Sequence, residues 1–128
     1  MLAERNKILI ETLKRLLRRG SYTRLKKIIS KIHAADLSAV FPSLSGANQR
    51  ELFRLIDDRE KQGIILSELD EDIILNLIED LDVEELVGIL EYMPSDDGGA
   101  LLRMLPQDKA DAVIERMKKT GAEEVEGL

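Results

Sequence analysis

One short phrase, written seven times between Val40 and Met117, constrains this chain more than any other feature. It consists of two adjacent apolar residues, two variable ones, then Leu, Ile or Met. It reads Val40-Phe41…Leu44, Leu52-Phe53…Ile56, Ile65-Leu66…Leu69, Leu77-Ile78…Leu81, Ile89-Leu90…Met93, Leu101-Leu102…Leu105 and Val113-Ile114…Met117. The closing residues fall at 44, 56, 69, 81, 93, 105 and 117, a step of 12 with a single 13. Apolar residues at i, i+1 and i+4 share one helical face. Most closings are followed by a helix starter: Ser45, Asp57, Asp70, Asp82, Pro94-Ser95 and Pro106. Each unit is therefore a helix of about three turns, and two antiparallel units make a hairpin of roughly 24 residues. So short a helix cannot bury its stripe alone, and neighbours must stack to share it. The predicted fold class is all-α, a right-handed superhelix of short antiparallel hairpins in the manner of armadillo-like solenoids.

At 128 residues the chain is one domain in length. Residues 1–33 read as a basic helix pair belonging to that domain, and 34–121 as the helical repeat. Residues 122–128 read as the start of a linker. The first helix covers 3–19, with Gly20 as its C-terminal cap. A second follows to His33, capped by Ser21 or Thr23. Asp36 opens the first repeat unit, and Pro42 within it ends that helix early or kinks it. Gly63 lies mid-helix and weakens its unit slightly. Gly98-Gly99 in a first turn imply either an irregular start or another backbone close by. The last full helix is expected over 106–118.

The net charge of −6 conceals a split. Residues 1–33 carry ten Lys and Arg against two Glu, whereas the remainder carries nine against 23 acids. Between Lys61 and Arg103 there is no Lys or Arg at all, and those 41 residues hold twelve acids. Helix starts collect Asp and Glu through capping and the macrodipole, which accounts for many of them. Capping does not account for the missing cations. Unrelieved like charge destabilises a compact fold, and a divalent ion or a basic partner would relieve it.

No catalytic constellation assembles. His33 is the one histidine, and it sits at a helix boundary. With no cysteine, nitrogen and sulfur metal sites and disulfides are excluded. Gly98-Gly99 lack the spacing of a phosphate loop, and no serine has a histidine at recognisable spacing. The basic cluster from Lys14 to Lys31 has no interleaved aromatic beyond Tyr22, and an acidic body would repel nucleic acid. A solvated face, or a dock for an acidic surface of the parent protein, is the better reading. No small-molecule substrate is indicated. No apolar run approaches the roughly 18–20 residues of a membrane span, and no secretory leader is present. The expectation is a cytosolic, non-enzymatic domain. Its clustered carboxylates suit hard cations such as Mg²⁺ or Ca²⁺, Mg²⁺ usually taking one or two carboxylates and keeping its waters.

The order of these elements resembles the cytosolic N-terminal domain of MgtE-type magnesium transporters. The resemblance lies in the helix pair leading to His33-Ala34-Ala35-Asp36-Leu37, similar to a His-Pro-Ala-Asp-Leu entry. It continues through the acid-opened repeats to Met93-Pro94-Ser95-Asp96-Asp97, similar to a Met-x-x-Asp-Asp segment. The tail, Glu123 to Leu128, looks like the link to a CBS-domain pair. The resemblance implies a Mg²⁺-sensing domain ahead of a CBS pair and a transmembrane pore, in a homodimeric parent of the bacterial inner membrane. Carboxylate-bound Mg²⁺ would hold the N-domain against the CBS domains and favour the closed pore. Asp96, with Asp97 beside it, matches the family's acidic position. Two further family acids fall on Ala100 and Ile64 here, and the remaining ligands would lie on CBS residues, so Mg²⁺ binding by this chain would be weak. The alternative is a helical-repeat interaction module without an ion role, such as a CBS-linked regulator or a relative of flagellar motor switch proteins.

Overall fold

A computed structural model describes residues 2–126, with side chains over 6–119. Its elements are α1 (Leu2–Arg19), α2 (Tyr22–Ser30), α3 (Ala34–Val40), a 3₁₀ turn (Phe41–Ser43), α4 (Gly46–Arg54), α5 (Arg59–Glu68), α6 (Glu71–Glu79), α7 (Val83–Leu90), α8 (Ser95–Met104) and α9 (Gln107–Glu126). Among the described residues there are nine α-helices and no strand. The fold is all-α, as the repeat predicts.

Helix boundaries follow local chemistry. Gly20 has φ +66°, where a β-carbon would be strained, and it closes α1 in a Schellman turn. Ser21 N donates to Leu16 O and Gly20 N donates to Leu17 O. Ser45 Oγ caps α4 by accepting from Asn48 N. Asp82 and Glu85 form a reciprocal capping box at α7. Pro42 does end α3 early: the helix stops at Val40 and the chain tightens into the 3₁₀ turn.

Several expected details differ. The cap of α5 is Asp58 and not Asp57, because the thirteenth residue of that unit lengthens the loop. α3 opens at Ala34 with His33 at the N-cap, leaving Asp36 in the first turn. The start of α8 is regular despite Gly98-Gly99, and a side chain, Leu90, lies nearest to Gly98. α9 does not stop at 118 but runs on to Glu126, so 122–126 are helical.

The repeated phrase forms the core. The first apolar residue of all seven copies is buried, Val40 through Val113, and so are five of the seven closing residues. Met93 and Met117 are half-buried. Phe41 and Phe53 meet edge to face at 6.4 Å between ring centroids. Helices two apart in sequence pack together: α1 on α3, α3 on α5, α5 on α7, α7 on α9, and α4 on α6. α1 also packs on α2 and α4 through Leu13, Leu16 and Leu17, joining the basic hairpin to the same apolar cluster. Gly63 proves more than a weak point. A β-carbon there would lie 3.2 Å from Met93 Cγ and 3.4 Å from Ile89 O, so the glycine sets the close approach of α5 to the end of α7.

Candidate functional site

The twelve acids of the cation-free run divide into two sets. Arg50 and Arg54 on α4 reach across to α6 and the start of α7. Arg50 Nη2 lies 3.4 Å from Glu79 Oε2. Arg54 Nε lies 2.8 Å from Asp80 Oδ2, and its Nη1 lies 3.1 Å from Glu85 Oε2. Arg54 also donates to the Asp80 carbonyl. Its guanidinium pKa is raised, chiefly by the Asp80 hydrogen bond and further by Glu85, against an opposing effect of burial. From the other side Arg116 on α9 pairs with Glu84 at 3.0 Å, and Lys109 Nζ donates to Leu81 O. The expectation of unrelieved repulsion is thus corrected for residues 79–85. Cations distant in sequence fold onto them.

The second set has no such partner. Among the described residues, Glu68, Asp70, Glu71, Asp72, Glu91, Asp96 and Asp97 make no side-chain hydrogen bond or ion pair. Asp96 and Asp97 occupy the first turn of α8, behind an N-cap, Pro94, that has no side chain able to accept from the helix. Asp96 is exposed and Asp97 half-buried. Asp97 lines a recess of about 170 Å³ with Ser67 of α5, Ile74 of α6 and Ala100 of α8. The macrodipole favours negative charge in this first turn.

Whether these groups suit Mg²⁺ is a question of donor chemistry. Two adjacent carboxylates supply hard oxygen donors and leave most of an octahedral shell to water, a common arrangement for Mg²⁺. They do not make a cage: among the described residues no three His, Cys, Asp or Glu side chains converge on a point where a metal could be held. The positions matching the other family acids, Ala100 and Ile64, are both exposed and lie on α8 and α5. His33 is exposed at its N-cap and makes no side-chain capping bond.

A cleft between α6 and α8, not foreseen from the sequence, shares Ala100 and Met104 with the recess that Asp97 lines. Leu75, Ile78, Met104 and Pro106 line a cavity of about 360 Å³. Glu71, Leu75, Ala100 and Arg103 line an adjoining one of about 460 Å³. Leu75 is 42 % exposed on its wall. The signal for it lay in the repeat register, since Arg50 and Asn76, which bridge α4 to α6, have the apolar Leu75 and the small Ala100 as their counterparts here.

Among the described residues the elements are all helical and the buried side-chain polar atoms all have hydrogen-bond partners, which defines an all-α domain. The chain belongs to the family of the MgtE intracellular N domain, whose model matches residues 32–128. It is accordingly a non-enzymatic domain of a magnesium transporter. A search of curated proteins returned no match. No helix among the described residues is long and apolar enough to cross a membrane.

Proposed function

We propose that this is the cytosolic regulatory domain that senses Mg²⁺ for its transporter, on a right-handed superhelix of helical hairpins. The reading rests on one observation: the fold supplies cations to residues 79–85 and leaves Asp96-Asp97 unpaired at the start of α8. In this proposal the acidic face docks against an adjacent CBS-domain pair of the same homodimeric, bacterial inner-membrane parent. Mg²⁺ shared between Asp96-Asp97 and CBS carboxylates cancels the repulsion of two acidic surfaces and holds the pore closed. When Mg²⁺ falls, like charge drives the surfaces apart.

The test is an amide NMR titration of the 128-residue domain with MgCl₂, matched by NaCl at equal ionic strength. Shifts confined to the start of α8 and saturating on the order of millimolar Mg²⁺ are expected. Identical diffuse shifts in both salts would overturn ion sensing by this chain. They would favour a second reading, an interaction module whose acids serve helix starts and docking alone. Ala100 and Ile64, standing where the resemblance calls for acids, are the observation behind that alternative.

A further inference from the structure

The α1–α2 hairpin carries a second charged surface, and all but two of its residues up to His33 lie outside the segment matched by the family. Leu13, Leu16, Leu17, Leu25 and Ile29 are buried and turn the hairpin's apolar stripe inward, toward α3 and α4. The outward side bears nine described Lys and Arg side chains, from Lys7 to Lys31, against Glu11 alone. Among the described residues only Lys26 of these has an ion pair, with Asp57 at 3.7 Å, and both groups are well exposed. The acids on the helices packed against α1 are Asp36 on α3 and Glu51 on α4, and among the described residues neither makes an ion pair with these cations, so pairing does not neutralise the patch.

The patch also carries an exposed apolar side chain, at its N-terminal end. Ile8 is 68 % exposed, the most exposed large apolar side chain described. At about 100° and about 1.5 Å per residue, Ile8, Arg15 and Arg19 fall within about 40° of one another on α1, the two cations following the isoleucine about 10 Å and about 16 Å further along the same face.

Three kinds of partner could meet such a surface. Nucleic acid is disfavoured, because the hairpin's one aromatic, Tyr22, spends its hydroxyl on Glu51 at 3.3 Å and no base-reading group accompanies it. The acidic end of a second copy would satisfy the charge and would offer Ile8 the Leu75 wall of the α6–α8 cleft, so self-association is one of the outcomes the experiment below distinguishes. An anionic bilayer satisfies both features: clustered Lys and Arg bind its headgroups, and an apolar side chain among them enters the interface. A domain of a membrane transporter is also held near such a surface.

We infer that the outward face of the α1–α2 hairpin docks on the anionic phospholipid headgroups of a bilayer, with Ile8 entering the interfacial layer. This rests on the family membership and is independent of ion sensing at α8.

The experiment is co-sedimentation of the 128-residue domain, in EDTA, with vesicles of phosphatidylcholine containing about 30 % phosphatidylglycerol or none. Expected are binding to the anionic vesicles only and at least a tenfold weaker partition for the Arg15→Glu/Arg18→Glu/Arg19→Glu protein. A smaller loss is expected for Ile8→Ser, and release between about 0.05 and 0.5 M salt as the Debye length shrinks. Inorganic phosphate at matched ionic strength should not compete. Any of three results overturns the inference. These are equal binding to neutral vesicles, charge-reversed protein binding like the parent, or tighter binding to duplex DNA or to a second copy (by sedimentation velocity) than to the vesicles. Circular dichroism checks that the variants, all at exposed positions, remain helical. Because the Mg²⁺ titration reports on α8, either reading can fail without the other.

Discussion

Arg50 on α4 holds Asn76 on α6 twice, its Nε donating to the Asn76 carbonyl at 3.1 Å and to Oδ1 at 2.9 Å. Asn76 returns its own donors to α4: Nδ2 reaches Gly46 O at 3.0 Å and Gln49 Oε1 at 2.9 Å. Gln49 is buried and ties back to the carbonyls of Phe41 and Leu44. This is a satisfied polar network between two helices, and removing its centre strands several partners. Asn76→Ala should therefore cost about 1–3 kcal/mol, read as a lower urea midpoint at unchanged slope.

One repeat later the same positions hold different residues. Counting from the closing residues Ile56, Leu81 and Leu105, Arg50 corresponds to Leu75, Asn76 to Ala100 and Glu79 to Arg103. A cleft stands where α4 and α6 are bridged. Grafting the bridge, by Leu75→Arg with Ala100→Asn and Arg103→Glu, should recover a favourable coupling of roughly 0.5–1.5 kcal/mol that no single substitution shows. Leu75→Arg alone would instead set a second guanidinium against the native Arg103 and be repelled by it. A multiple-mutant cycle in urea decides the matter, and strict additivity would show that the two junctions differ in backbone spacing as well as in side chains.

Gly20 and Gly63 should respond differently to alanine. Gly20→Ala places a β-carbon at φ +66° and should lose about 1 kcal/mol, with the end of α1 fraying by hydrogen exchange. Gly63→Ala gains helix propensity, and its closest neighbour, Met93 Cγ at 3.2 Å, belongs to a half-buried flexible side chain that can shift. It should be close to neutral. Gly63→Val cannot be accommodated so easily, because Ile89 O is fixed in the backbone, and should cost about 1–3 kcal/mol. A stability loss for alanine as large as for valine would mean that Met93 is held rigidly.

The repeat told more about burial than about partners. A 12-residue period fixes which residues of a helix face inward, so Leu52, Ile65, Leu77 and Ile89 were legible as core from spacing alone. Most helix starts were legible to within a residue; α3 opens two residues before Asp36, and the inserted residue at 57–58 causes the slip from Asp57 to Asp58. The ionic bridges were not legible. Arg54 reaches Asp80 and Glu85, 26 and 31 residues away, and no local pattern says how two helices of a stack are aligned. The absence of Lys and Arg over 62–102 consequently looked like unrelieved charge, when α4 and α9 supply part of the compensation from outside. The close approach at Gly63 was not legible for the same reason, because the space beside it is set by α7 and not by its own helix.

Asp82 and the Asp96-Asp97 pair offer the cleanest separation of helix starting from function. Asp82 accepts from Glu85 N at 2.8 Å and completes a capping box, so Asp82→Ala should cost about 1 kcal/mol. Asp96 and Asp97 make no such bond, and each interacts with α8 through the macrodipole alone. Neutralising both, by Asp96→Asn with Asp97→Asn, should cost no more than about 1 kcal/mol in total at low salt, and less as salt screens the exposed charges. If the pair serves Mg²⁺, the same double substitution abolishes the ion-specific amide shifts, while Asp82→Ala lowers stability and leaves those shifts intact. The opposite pattern would assign Asp96 and Asp97 to the helix: a stability loss matching that of Asp82→Ala, with the response to MgCl₂ no different from NaCl before or after substitution. Stability and ion response are measured on the same samples, so the two roles separate without the remainder of the transporter.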